Sequence, residues 1–322
     1  EGEGEGEGEG EGEGEGEGEG EGEVEGGPLD PCGGADQKLC GPGLICFDDT
    51  TDDCDPSDGV SLCIGLCIWP DQDGDTVPYP ADLWPLDSSI PGPGKLGTIY
   101  AQTSSALYTF DPSTKSTHKV GDFKKAGGGF LSLVTDIALD RYGVIYAITY
   151  TALYICHAET VECTFLGDLP GGLTNGLTLI PKGVIGAEKD MLVAISNSGD
   201  WHKVETKGTD AIFTSIGGYG TGYSSAGDVF SIQDVGTYAA VNKGALATNY
   251  LIEVNPNTGA LIEEIGPITG YSEVWGLAGT FMDAFAFDAS GDVLSINLET
   301  GKVEVVAESG LAWWGAGVTT RL

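Results

Sequence analysis

Positive charge is scarce in this chain of 322 residues: 14 Lys and Arg stand against 50 Asp and Glu, a formal charge of −36 at pH 7. So acidic a surface repels phosphate backbones and anionic lipid, which excludes nucleic-acid binding and electrostatic docking on membranes. Long apolar runs are missing too. None approaches the roughly 18 residues of a membrane-spanning helix, so no membrane insertion of that kind is expected. Histidine is limited to His118, His157 and His202, which leaves little material for a Ser-His-Asp relay. No Asn-x-Ser/Thr sequon occurs, so N-glycosylation of that type is not expected. The chain begins at Glu1 without Met, and a secretion signal is expected to have been removed or left out. Helical periodicity over ten or more residues is absent as well, and short apolar strands alternate with turn residues.

The acidity is unevenly spread. Residues 1–25 hold thirteen Glu and no base, residues 28–95 hold thirteen Asp against Lys38 and Lys95, and residues 96–322 are only mildly acidic. Residues 1–27 form a first segment, with eleven Glu-Gly repeats filling 1–22. Glycine at every second position and mutually repelling glutamates describe an extended tether. The alternative follows from strand geometry: a period of two puts every glutamate on one face, and such a ribbon assembles if cations or basic groups neutralise it.

Six of the eight cysteines, Cys32, Cys40, Cys46, Cys54, Cys63 and Cys67, crowd into residues 28–70. So short a segment cannot bury enough apolar surface to offset its chain entropy, which implies disulfides and an oxidising compartment. Zinc is the competing reading, but histidine and paired Cys-x-x-Cys knuckles are lacking. The strings CGPGLICFDD and DDCDP and the closing Cys-x-Gly-x-Cys resemble a small cysteine-rich module of secreted proteins in myxobacteria and fungi. That resemblance implies export and supplies no catalytic residue; the pairing stays open.

Residues 71–95 follow as an acidic loop and a Pro/Gly linker. Asp71, Asp73 and Asp75 alternate around Gly74, which permits a tight turn that aims several carboxylates at one centre. Calcium takes oxygen ligands in such a loop, with the Val77 carbonyl and Asp82 as further donors. The string D-x-D-G-D-x-V-P resembles the calcium loops of thrombospondin type-3 repeats, here as a single copy. A solvated acidic turn is the alternative. Pro85, Pro91 and Pro93 then read as a stiff linker.

Residues 96–322 carry an internal repeat. LYTFDPSTKSTHKVGDF (107–123) matches LYICHAETVECTFLGDL (153–169) at a displacement of 46 residues, and further hairpins lie at 201–217, 250–266 and 293–309. Another strand precedes each hairpin, and five more begin near Asp136, Gly176, Asp228, Gly276 and Gly315, spaced about 45 residues apart. Four strands per unit is the size of a propeller blade. The first unit has three strands and the chain ends on a leftover, so the expected fold is all-β: a five-bladed β-propeller closed by its C-terminal strand. Two packed sheets are the alternative. The hairpins also resemble the L-Y-x-I-D-P-x-T-G repeats of secreted bacterial propellers. Cys156 and Cys163 occupy facing positions across a hairpin and are expected to form a disulfide.

Loops entering innermost strands form the mouth of a propeller channel. Candidate ligand-binding residues there are Asp136, Asn175, Asp228, Glu273, Trp275 and Trp314, since indole faces suit sugars and carboxylates accept their hydroxyls. Tryptophans that plug the channel or pack between units are the alternative. No catalytic residue is assigned: units of this size leave no long insertions for a cleft, and no Arg or His accompanies the mouth. The expected function is that of a non-catalytic protein, secreted or on the cell surface, with a calcium-stiffened stalk and a head that contacts a protein partner or another copy. A glycan-binding or glycan-hydrolysing propeller is the second expectation.

Overall fold

The computed structural model describes residues 26–35, 37–48, 63–170 and 174–322. The Glu-Gly tract before Gly26, Cys54 and the side chain of Asn175 lie outside the described residues. In chain order, β1 (Pro31–Gly33), β2 (Ile45–Phe47) and β3 (Ile64–Ile68) form a small sheet in the order β1-β3-β2. Next come β4 (Ile99–Gln102), β5 (Ala106–Asp111), β6 (Ser116–Asp122) and the two-residue β7 (Lys124–Lys125). Four runs of four strands follow: β8 (Asp136–Leu139), β9 (Ile145–Ile148), β10 (Ala152–Cys156) and β11 (Glu162–Asp168); β12 (Thr174–Ile180), β13 (Met191–Ser196), β14 (Asp200–Lys207) and β15 (Asp210–Gly218); β16 (Tyr223–Ile232), β17 (Gly236–Lys243), β18 (Asn249–Val254) and β19 (Leu261–Ile268); β20 (Val274–Gly279), β21 (Asp283–Asp288), β22 (Asp292–Asn297) and β23 (Val303–Glu308). The last strand is β24 (Gly315–Gly317). No helix occurs among the described residues.

Each run pairs antiparallel in sequence order, and β24 pairs antiparallel with β4 to give a sheet in the order β24-β4-β5-β6. The strands β24, β8, β12, β16 and β20 adjoin one another in cyclic order. Between Asp168 and Asp210 a one-residue parallel pairing joins β11 to β15, and β7 runs parallel to the start of β11. The chain is therefore all-β and propeller-like.

Local chemistry explains the repeat. At three hairpin tips a side-chain carbonyl or carboxylate accepts from the backbone two or three residues on: Ser113 N–H donates to Asp111 at 2.8 Å, Asn257 N–H to Asn255 at 2.9 Å and Thr300 N–H to Asn297 at 2.9 Å. These Asx turns are why Asp and Asn recur there. Inner and middle strands are buried on both faces and read as continuous apolar runs; all six residues of β13 are buried. Outer strands such as β15 and β23 are exposed or half-buried along nearly all of their length. Trp313 is fully buried against Tyr108 of β5 and Phe287 of β21, both at 5.4 Å, so it packs between two sheets.

In the cysteine-rich segment Cys32 joins Cys46 and Cys40 joins Cys67, and Cys63 is also disulfide-bonded. Cys156 joins Cys163 with Cα atoms 4.0 Å apart, directly opposite each other on β10 and β11.

The segment 71–95 differs from the expected linker. Gly94 N–H donates to Gly143 O at 2.8 Å, and Ala158 N–H donates to Gly92 O at 2.8 Å. A Cβ on Gly92 would lie 2.5 Å from His157 Nε2, so only glycine allows this approach. Val77 and Ala81 are buried together with Val144 and Ile155 of the adjoining sheet. The prolines shape a strap rather than a spacer, because its apolar side chains have a sheet to cover.

Candidate functional site

The five inner strands converge at aligned positions: Asp136, Gly176, Asp228, Gly276 and Gly315. Glycine lets the strands touch. A Cβ on Gly276 would sit 2.7 Å from the Gly315 carbonyl carbon, and one on Gly227 would sit 2.6 Å from Trp275 Cα. Each inner strand turns one backbone N–H inward at the following residue, and the two carboxylates collect all five. Asp136 accepts from Ile137 at 2.8 Å and Leu177 at 2.6 Å. Asp228 accepts from Val229 at 2.6 Å, Leu277 at 2.6 Å and Ala316 at 3.1 Å.

Both side chains are completely buried. Burial pushes both carboxyl pKa values well up; in Asp136 the neighbouring Asp228 charge adds to this, while in Asp228 the backbone N–H groups work against it. Asp228 accepts three N–H bonds and Asp136 two, so backbone donors from all five strands hold the pair in place. Asp136 and Asp228, expected as ligand contacts at the mouth, are fully buried instead. They are sealed structural groups rather than ligand contacts, since every inner strand needs an acceptor for its unpaired N–H. Below them a cavity of only about 10 Å³ remains, lined by residues such as Ile137, Val229 and Ala316.

At the level above, Trp275 and Trp314 are half-buried and meet edge to face at 6.0 Å, and Glu273 is exposed. Thr135, beside Asp136, is buried and donates its hydroxyl to Ile148 O at 3.3 Å. The histidines stand apart from this axis; His157 Nδ1, for example, accepts from Glu159 N–H at 3.1 Å on a hairpin tip.

The aspartate loop gathers differently. Carboxylate oxygens of Asp71, Asp73 and Asp75 all lie within 4.8 Å of one another. One oxygen of each shapes the loop: Gly74 N–H donates to Asp71 at 2.9 Å, Asp75 N–H to Asp73 at 3.2 Å and Val77 N–H to Asp75 at 2.8 Å. Asp82 is 1% exposed and takes Trp84 N–H at 2.8 Å. That leaves Oδ2 of Asp73, Asp75 and Asp82 buried without a hydrogen-bond partner. Burial first, then the carboxylates of Asp75, Asp73 and Asp71, push Asp82 up to about 7 against the Trp84 N–H bond. The grouped carboxylates of Asp71, Asp73 and Asp75, two of them with an orphaned buried oxygen, offer the kind of donors a hard divalent cation takes, and Asp82 carries the third orphaned oxygen. Lys189 Nζ donates to Pro80 O at 3.3 Å and ties this loop to the head.

Two features carry no sequence signal. Gln102 is fully buried, both of its amide atoms lack partners, and it stands where a Gly315 Cβ would be, 2.7 Å away. Asp190 gathers Arg141 Nε at 2.9 Å, Lys182 N–H at 2.7 Å and the Thr320 hydroxyl, binding three distant turns into one knot.

No protein-family model matches this sequence, and no curated protein matches it. Among solved structures, the hydrazine synthase of Kuenenia stuttgartiensis is 13% identical over 67% of this chain and 66% of its own, just under two thirds of its length, with a TM-score of 0.38. A symmetrical protein from work on de novo evolutionary emergence shaped by folding constraints is 12% identical over 70% of this chain and 99% of its own, at 0.44. BBS1N, solved in complex with ARL6DN, is 16% identical over 67% of each chain, at 0.34. All three TM-scores are below 0.5, so the reading of the fold rests on the strand pairings themselves.

Proposed function

We propose that this chain is a non-catalytic structural or binding protein of the extracellular space or cell surface. Its head is a five-bladed β-propeller whose first blade is completed by β24. Its cysteine-rich module is held to that head by a strap containing a calcium site formed by Asp71, Asp73, Asp75 and Asp82, with the Val77 carbonyl as a further donor. The head engages a protein partner or another copy. The disulfides and the absence of a long apolar helix among the described residues are compatible with this setting.

One contrast carries the reading: the axial carboxylates Asp136 and Asp228 have all their oxygens engaged by backbone, whereas those of the aspartate loop do not. Acid–base chemistry needs carboxyls that reach a substrate, and a cation needs oxygens without other partners. In a thermal melt of the full chain, calcium is expected to raise the midpoint by several degrees over chelator, and Asp82→Asn to abolish that rise. Equal midpoints with and without calcium reject the site. A second reading is favoured only by the Trp275–Trp314 pair at the mouth: glycan binding. A glycan array on the full chain, with Trp275→Ala losing any signal, would establish it.

A further inference from the structure

The lysines of this acidic protein are not scattered evenly. Lys115, Lys119, Lys124 and Lys125 fall within eleven residues on β6, β7 and the turn before them, against the single acid Asp122. All four are exposed. Lys119 bonds Asp122 at 2.6 Å, but among the described residues no acidic side chain makes an ion pair with Lys115, Lys124 or Lys125. The strand beside them is open as well. β6 is the outermost member of its sheet, so its outer backbone groups face away from any neighbouring strand. A lysine-bearing edge commonly wards off other strands, yet it equally suits one that is anionic.

This chain contains such a segment. Residues 1–25 carry thirteen Glu, no base and glycine at nearly every other position. We propose that this tract docks on the basic strip of its own head, with its glutamates against Lys115, Lys124 and Lys125. Charge selects the place, because the rest of the molecule is acidic and repels the tract. Reach is sufficient: 25 residues span up to about 80 Å when extended, starting from Gly26, whose N–H is held by Leu39 O. The module that carries this anchor adjoins the sheet that β7 joins. Phe47 of the cysteine-rich module lines a cleft together with Thr164, Phe165 and Leu166 of β11, while the backbone of Lys124 and Lys125 runs parallel beside Glu162 and Cys163 of the same strand. Tethering supplies a local concentration on the order of millimolar, which favours the chain's own strip over that of a neighbour.

Docking of the tract does not involve the calcium site, and zero-length carbodiimide cross-linking of the full chain in low salt, followed by mass spectrometry, tests it. Glutamates of residues 1–25 are expected to join Lys115, Lys124 and Lys125 several-fold more often than the other lysines, within monomers. About 1 M sodium chloride, where the Debye length is about 3 Å, should remove the preference. Small-angle scattering gives a readout that does not depend on the lysines reacting. The K115E/K124E/K125E chain should have a larger radius of gyration than the parent in low salt and the same radius in high salt. Cross-links spread evenly over all lysines, cross-links confined to dimers, or identical radii in low salt would each overturn the proposal.

Discussion

Asp228 receives N–H bonds from three different strands, and each of those strands is the first of its sheet. Removing the carboxylate while keeping the backbone leaves three buried donors without acceptors, at roughly 1–3 kcal/mol each. Asp228→Ala is therefore expected to destabilise the chain by about 4 kcal/mol in chemical denaturation. A loss below about 1 kcal/mol would show that the axis is not held this way. Asp140 tests buried charge separately. Burial, and to a lesser degree the Asp190 charge, push its carboxyl up to about 7, against N–H bonds from Val144 and Tyr142. An unfolded Asp titrates near 3.9, so the folded chain holds this proton more tightly. The contribution is fully present below pH about 4 and is lost as pH rises through about 7. Asp140→Asn keeps the Oδ1 that accepts both N–H bonds. It should raise stability at pH 8 and flatten the decline between pH 5 and 8; an unchanged slope in a pH series of melts would refute the assignment.

At the scale of elements, disulfides and strand pairing divide the work. Cys40–Cys67 closes 27 residues and Cys32–Cys46 closes 14 in a segment whose sheet has strands of only three to five residues. Loops of this size give about 3 kcal/mol per bridge by restricting the unfolded chain. Paired replacement C40S/C67S is expected to render residues 26–70 sensitive to protease while the β4–β24 region stays resistant. Protection of both regions would mean that the sheet alone suffices. The elements themselves were largely legible: all five expected inner strands coincide with β8, β12, β16, β20 and β24, because turn chemistry and alternation are local properties. What the strap from Asp71 to Lys95 does was not legible. Its prolines and glycines describe a spacer equally well, and only tertiary contact between Val77 and Val144 decides. The carboxylates at Asp136 and Asp228 misled for the same reason: position along the strand was readable, but the five converging N–H groups belong to strands far apart in sequence.

For the whole molecule, the connection between β24 and β4 sets the order of events. Gly97 N–H meets the Thr319 hydroxyl at 3.0 Å across a sequence separation of 222 residues, and Asp228 takes Ala316 N–H across 88. Contacts so distant along the chain repay their loop-closure entropy only after everything between them is in place. A chain leaving the ribosome can complete the sheets β8–β11 through β20–β23 in turn, but β4–β6 waits without its inner partner until β24 emerges. Throughout that interval the β4 edge is exposed and one acceptor site of Asp228 is unfilled. Synthesis is therefore the stage at which this protein is most open to wrong pairing, and the emergence of β24 is what ends that exposure.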